Sequence, residues 1–163
     1  MVANDLSPDQ VLEWLNAVPD PEIPVLTIAD LGIVRGVTVD GAVTVELTPT
    51  YSGCPATEVI EQSVVDELRK HGVTDVLIKR VLAPAWTTDW ISEEGRAKLR
   101  EYGIAPPAHG ASKREMLQGD RSIACPRCDS ANTQVVSEFG STACKASYKC
   151  SDCLEPFEYF KCI

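Results

Sequence analysis

The chain of 163 residues contains only two histidines, two methionines and 6% aromatic residues, and its first 124 positions hold a single cysteine. Each shortage closes off a class of chemistry. A di-iron oxygenase builds its centre from Glu-x-x-His pairs on facing helices, and His71 and His109 stand in no such motif. The chain is therefore not expected to be the component that activates oxygen. The Gly-x-Gly-x-x-Gly loop of nucleotide-binding reductases and the plant-type Cys-x4-Cys-x2-Cys series are also missing, which argues against electron transfer. No apolar run reaches the roughly 18 residues of a membrane helix. The opening MVANDLSPDQ has neither the basic nor the apolar region of an export signal. A cytoplasmic protein with no membrane partner is expected.

Positive charge is scarce as well, and unevenly so. Residues 1–105 hold 8 Lys+Arg against 17 Asp+Glu, while residues 106–163 hold 7 of each, so the whole formal charge of -9 lies in the first part. Such a surface repels phosphate backbones, which argues against nucleic acid as a partner of the main domain.

Ser7-Pro8-Asp9-Gln10 reads as a capping box opening a helix over residues 8–17, with Val11, Leu12, Trp14, Leu15 and Val18 on its apolar face. Two β-rich runs, Val34 to Val39 and Val43 to Leu47, flank Asp40-Gly41, a strong hairpin signal. From Pro55 the spacing of Ile60, Val64 and Leu68 predicts a second helix stopped at Gly72, and Asp75 to Leu82 predicts a third strand reached by a crossover. The order αββαβ is that of a small α/β (α+β) domain. Ser92, followed by Glu93 and Glu94, caps a short further helix, and Pro106-Pro107 with the polar stretch to Asp120 reads as a linker. The expected organisation is a domain over residues 1–105, a linker over 106–120 and a second domain over 121–163.

That second domain holds six of the seven cysteines. Cys125-Pro126-Arg127-Cys128 and Cys150-Ser151-Asp152-Cys153 form two CxxC pairs separated by 21 residues. The pairs can present four thiolates to a tetrahedral zinc, with Thr133 to Glu138 and Ser147 to Lys149 as strands of a ribbon. An unligated thiol cluster and a redox pair are the competing readings. About 40 residues do not bury enough surface unaided, and no thioredoxin-like context surrounds either pair. Phe157, Tyr159 and Phe160 are expected to pack this ribbon. Cys144 and Cys162 fit no simple ribbon; they are either a buried apolar thiol and a tail thiol, or additional ligands.

Cys54 stands apart, immediately before Pro55, the expected first residue of the second helix. There its sulfur would face unpaired N–H groups, a setting that favours thiolate; a small core residue at a strand-to-helix corner is the plainer alternative. Trp86 and Trp90 likewise read either as core or as a docking surface.

DPEIPV, DLGIV and TPTYSGCP, in that order, resemble the iron-sulfur cluster assembly domain, with Tyr51-Ser52 as the departure from its pattern. The resemblance implies a cluster-transfer site formed by Asp20, Asp30, Thr50 and Cys54. Further on, PAWTTDWISEEGRAKLREYGIAPP, CPRC and FGSTACKASYKCSDCLEPFEYFKC extend it to the phenylacetate-degradation D family, encoded with the multicomponent phenylacetyl-CoA epoxidase. This wider resemblance implies maturation of a metal centre in that system, not oxygenation, with the ferredoxin-type reductase component as a sensible client. The implied cofactors are a structural zinc in the tail and a transient Fe-S cluster, whose further ligands come from a second protomer, a client, or Cys144 and Cys162. A zinc-ribbon adaptor that handles no iron and a thiol oxidoreductase are the alternatives.

Overall fold

The structure, a computed structural model, describes residues 6–110 and 123–161. Its contacts divide the chain into two compact units, Met1–Trp86 and Thr87–Ile163.

In the first unit, helix α1 (Pro8–Leu15) opens with the expected capping box: Gln10 N–H donates to Ser7 Oγ at 3.3 Å, and Ser7 N–H donates to Gln10 Oε1 at 3.1 Å. It stops two residues earlier than the spacing indicates, because the Val18 N–H turns back to the Leu15 carbonyl just before Pro19. Strands β1 (Val34–Asp40) and β2 (Ala42–Leu47) form the antiparallel hairpin, with Gly41 at φ +70° where a side chain would be strained. Helix α2 (Thr57–Lys70) then crosses over to β3 (Val76–Arg80), which pairs in parallel with β2. The central strand is therefore β2, in the order β1-β2-β3. Its alternation is sharp: Val43, Val45 and Leu47 are buried, whereas Thr44 and Glu46 are half-buried on the other face. Helix α2 contributes Ile60, Val64 and Leu68 to the core. Trp86 is core as well, its indole donating to the Leu31 carbonyl at 2.7 Å.

The second unit begins with a 3-10 turn, Thr88–Trp90, and helix α3 (Glu93–Tyr102), whose Gly95 N–H donates to the capping Ser92 Oγ at 2.9 Å. Four strands follow: β4 (Ile104–Ala105), β5 (Thr133–Ser137), β6 (Lys145–Cys150) and β7 (Pro156–Phe160), in the sheet order β4-β7-β6-β5. The sequence indicates β5 and part of β6 but not β4 or β7. Phe157, Tyr159 and Phe160, expected as ribbon packing, are all buried on β7.

The sequence attaches α3 to the first domain, yet β4 runs parallel to β7, pairing Ile104 with Glu158 and Ala105 with Tyr159. That pairing carries residues 93–105 into the ribbon's unit. Most of the expected linker, residues 111–120, lies outside the described residues. Its start is fixed, since the buried Arg96 guanidinium donates to the Pro107 and Thr88 carbonyls.

Both CxxC pairs form the same turn. Cys125 N–H donates to the Ser130 carbonyl and Cys150 N–H to the Glu155 carbonyl, each at 2.9 Å. The residue after each second cysteine is left-handed, Asp129 at φ 62° and Leu154 at φ 63°. Aspartate tolerates that region; leucine is strained by it.

Burial and backbone each set a measurable stability. Leu68→Ala removes a fully buried side chain of α2 and is expected to cost about 2–5 kcal/mol in denaturant unfolding of the first unit. Leu77→Ala, on exposed β3 surface, is expected to cost less than about 0.5 kcal/mol; equal losses would contradict the burial pattern. Leu154→Gly relieves about 1–2 kcal/mol of left-handed strain against a glycine entropy cost of about 0.5–1 kcal/mol. A small gain in stability of the second unit is expected, and a loss would show that Leu154 makes compensating contacts.

Candidate functional site

The two CxxC turns bring Cys125, Cys128, Cys150 and Cys153 together so that all four sulfurs lie within 4.8 Å of one another. The spacing fits a metal. Four sulfurs about 2.3 Å from a tetrahedral zinc stand about 3.8 Å apart. Cys125 and Cys153 are separated by 3.7 Å, and Cys128 and Cys150 by 3.6 Å. Cys125 and Cys150 are buried while Cys128 and Cys153 reach the surface, so each turn offers one inner and one outer ligand.

Polar contacts hold the turns face to face. Ser151 N–H donates to the Asn132 carbonyl at 2.8 Å, Asn132 Nδ2 donates to Asp152 Oδ1 at 3.0 Å, and Ser130 Oγ donates to the same carboxylate. These donors lower the Asp152 pKa, the Ser130 contact most. Arg127 pairs with Glu155 at 2.8 Å across the turns.

Before a metal enters, the thiols share their protons unequally. Cys150 is lowered to about 7, first by the Cys153 N–H, with the Asp152 N–H and the neighbouring thiols outweighing burial. Cys128 is raised to about 12: the Ser130 N–H lowers it, but burial and the three other thiols prevail. Cys153 is also raised; the Glu155 N–H lowers it, but burial and the Cys150 and Cys125 thiols prevail.

Cys144 lies outside this group. It is buried before β6, its sulfur 3.0 Å from Thr142 Oγ1 and its carbonyl accepting from Lys161 N–H at 2.9 Å. Cys162 lies outside the described residues.

In the first unit, Cys54 is half-buried on the loop from β2 to α2, after Gly53 at φ +81°. The helix does not begin at Pro55 as the spacing indicates. The Cys54 carbonyl accepts from Thr57 N–H at 3.2 Å, closing a separate turn through Pro55 and Ala56, and α2 starts at Thr57 with Ala56 as N-cap. Cys54 thus stands one turn ahead of the helix, not at its cap. The alanine cap supplies no side-chain acceptor to the helix N–H groups.

Asp20 and Asp30 are 7% exposed and hold the loop between α1 and β1. Asp20 Oδ1 accepts from Glu22 and Ile23 N–H at 2.9 and 2.7 Å. Asp30 Oδ2 accepts from Thr27 N–H at 3.0 Å, and Asp30 N–H donates back to Thr27 Oγ1 at 3.1 Å. Thr50 is half-buried on the Cys54 loop. Among the described residues Asp20, Asp30 and Cys54 do not form a group of three metal donors; the four cysteines do form such a group.

Sequence reasoning passed over Thr48. It is buried, its Oγ1 donating to the Val81 carbonyl at 2.7 Å and its N–H to the Ile33 carbonyl at 2.9 Å, so it fixes the start of the Cys54 loop. The only sequence signal is a polar residue directly after the last buried residue of β2.

His71 and His109 take no part in a metal group among the described residues. His71 is the C-cap of α2, stacked on Trp14 at 4.1 Å, and His109 pairs with Glu93 at 3.0 Å. No helix of the described residues is long and apolar enough to cross a membrane.

Known proteins share both parts. Residues 8–78 match the family described as iron-sulfur cluster assembly protein, and residues 109–161 match the PaaD zinc beta ribbon domain. The chain is 53% identical over 162 residues to an Escherichia coli (strain K12) protein named as one subunit of a "Putative 1,2-phenylacetyl-CoA epoxidase", covering 97% of this chain and 96% of that one. It is 38% identical over 94 residues to a Porphyromonas gingivalis (strain ATCC BAA-308 / W83) "Fe-S protein maturation auxiliary factor", covering 56% of this chain and 89% of the relative. A crystal structure of the domain of unknown function DUF59 from Bacillus anthracis superposes with a TM-score of 0.53 at 28% identity, over 56% of this chain and 90% of that one. A conserved hypothetical protein of Thermotoga maritima gives 0.50 at 30% identity, over 58% and 94%. The chain belongs to the family of the Escherichia coli epoxidase-system protein, and in it an iron-sulfur cluster assembly domain precedes a PaaD zinc beta ribbon.

Proposed function

We propose that the protein is a cytoplasmic maturation factor for the phenylacetyl-CoA epoxidase system, assembling or delivering Fe-S clusters, and is not itself the oxygenase. The observation that carries this reading is Cys54: a partly exposed thiol on a shaped loop of a cluster-assembly domain. It is separate in sequence from the cysteines that converge as metal ligands. A single thiolate outside any group of metal donors among the described residues makes a weak ligand, and weak ligation suits handing a metal on.

In this reading Asp20 and Asp30 keep their loop in place, Thr50 shapes the approach to Cys54, and Cys54 is the transfer ligand. The cluster is cargo, so its remaining ligands come from a client or from a second protomer in a homodimer. The ferredoxin-type reductase component is the client proposed. Zinc, held by Cys125, Cys128, Cys150 and Cys153, is proposed as the resident metal; its chemistry is a static cross-link between the two turns. One observation favours an adaptor role instead: Val135, Val136 and Phe139 are 57%, 68% and 65% exposed on and beside the edge strand β5, a surface that suits docking of another component.

Cys54→Ser is expected to leave the fold and the zinc intact and to lower the cluster content of the reductase purified from cells. The assay compares cells holding wild-type, Cys54→Ser or no copy. Equal cluster content in all three, with epoxidation still lost without the protein, would replace the maturation reading with the adaptor.

Zinc binding is expected to strengthen as pH rises. Cys128 and Cys153 keep their protons above the ordinary thiol range, so at least two protons are displaced, a fall of about 100-fold in apparent affinity per pH unit lost. The fall steepens below about 7 as Cys150 also becomes protonated. Competition against a chelator of known pH dependence measures this, and a pH-independent affinity would contradict thiolate ligation.

A further inference from the structure

We infer that helix α3 and strand β4 belong to the metal-held fold, so that the zinc-dependent part of the chain starts near Ser92, well ahead of the ribbon domain's own boundary. This rests on the zinc reading of the four-cysteine group, and it is carried by how residues 93–105 are supported.

Helix α3 has ten residues, and its only buried positions are Gly95, Arg96 and Leu99. A helix this short does not persist in water without tertiary support. Its support comes from the ribbon. The helix runs through Gly103, at φ +91°, directly into β4, and β4 exists only through its parallel pairing with β7. Ala105 is buried in one cluster with Cys125, Cys150, Phe157 and Tyr159, two of which are metal ligands. In the last turn of the helix, Arg100 pairs with Asp129, the left-handed residue that follows the ligand Cys128. In the first half, Arg96 joins the Thr88 and Pro107 carbonyls, tying the segments on both sides of α3 to it.

The sheet that bears this helix is small. Every described residue of β5 except Thr133 is exposed, and among the described residues the cluster around the buried ligands Cys125 and Cys150 adds only Ala105, Phe157 and Tyr159, with Ile123 and Tyr148 packed on it. A fold of that size depends on its metal, which contributes folding free energy directly. Losing the metal frees β7, losing β7 frees β4, and α3 then loses the paired strand that follows it and the Arg100–Asp129 contact. An open groove of about 710 Å³ is walled by Ala97, Arg100 and Tyr102 of α3 and by Pro126, Arg127 and Phe157 of the ribbon, and on this inference it lasts only while both walls are held in place. Metal occupancy thereby controls whether the surface of α3 is presented as a helix.

The test is hydrogen exchange on the full chain as purified, after chelation and after zinc is restored, with zinc content measured on each sample. Amides of Leu99–Ala105 are expected to lose protection together with those of Lys145–Phe160 when zinc leaves and to regain it on restoration, while Val34–Arg80 stays unchanged. Zinc loss that frees β6 and β7 but leaves Leu99–Ala105 protected overturns this inference and spares the zinc reading. A protected ribbon in protein without zinc overturns both, and loss of protection through Val34–Arg80 overturns the proposed boundary. Arg100→Ala touches no ligand, so it is expected to keep its zinc and to speed exchange at Leu99–Ala105 about two- to fivefold. Unchanged exchange at those amides contradicts the coupling.

Discussion

Convergence of four sulfurs within 4.8 Å is the constraint on which the C-terminal unit depends. Cys125 and Cys150 are at once metal-ligand candidates and members of the hydrophobic cluster, so core and site are one object. Small domains of this kind cannot secure themselves by burial alone. The matching N–H···O=C closures of the two turns, and the carboxylate of Asp152 shared by Ser130 and Asn132, set the sulfurs facing one another. Tyr148, stacked on Phe157 and edge-on to Tyr159, extends that core towards β5.

The N-terminal unit is built on the opposite plan. Its core is a layer of helices on a three-stranded sheet, and among its described residues there is no group of three metal donors. Its two buried aspartates bond to nearby backbone N–H groups of their own loop. That geometry gives them a structural duty even under the proposed transfer role: they fix where one loop runs. Thr48 does the same for the loop that carries Cys54. The proposed division of labour is thus physical, with a closed four-thiolate site for a metal that stays and an isolated thiol for one that moves.

Much of this was legible in the sequence where local chemistry decides the outcome. The capping box at Ser7 and Gln10, the Asp40-Gly41 hairpin and the Ser92 cap are short-range devices, and each forms as read. The paired CxxC spacing likewise indicates the four-sulfur group. What was not legible depends on long-range pairing. Ile104-Ala105 carries no strand signal of its own and becomes β4 only because β7 lies beside it. Pro55 reads as a helix start, yet the turn closed by Cys54 and Thr57 delays the helix to Thr57. Trp86 left core and docking open until its indole was seen on the Leu31 carbonyl. Thr48 is invisible for the same reason, since its partner Val81 is 33 residues away.

The central claim is that two different metal chemistries coexist in one chain, and metal and acid-labile sulfide analysis after anaerobic purification tests it most directly. Wild-type protein, supplied with iron and sulfide, is predicted to carry one zinc per chain together with iron and sulfide, and Cys54→Ser to carry the zinc alone. Zinc without iron or sulfide in both proteins, or iron and sulfide equally retained by Cys54→Ser, would contradict the account.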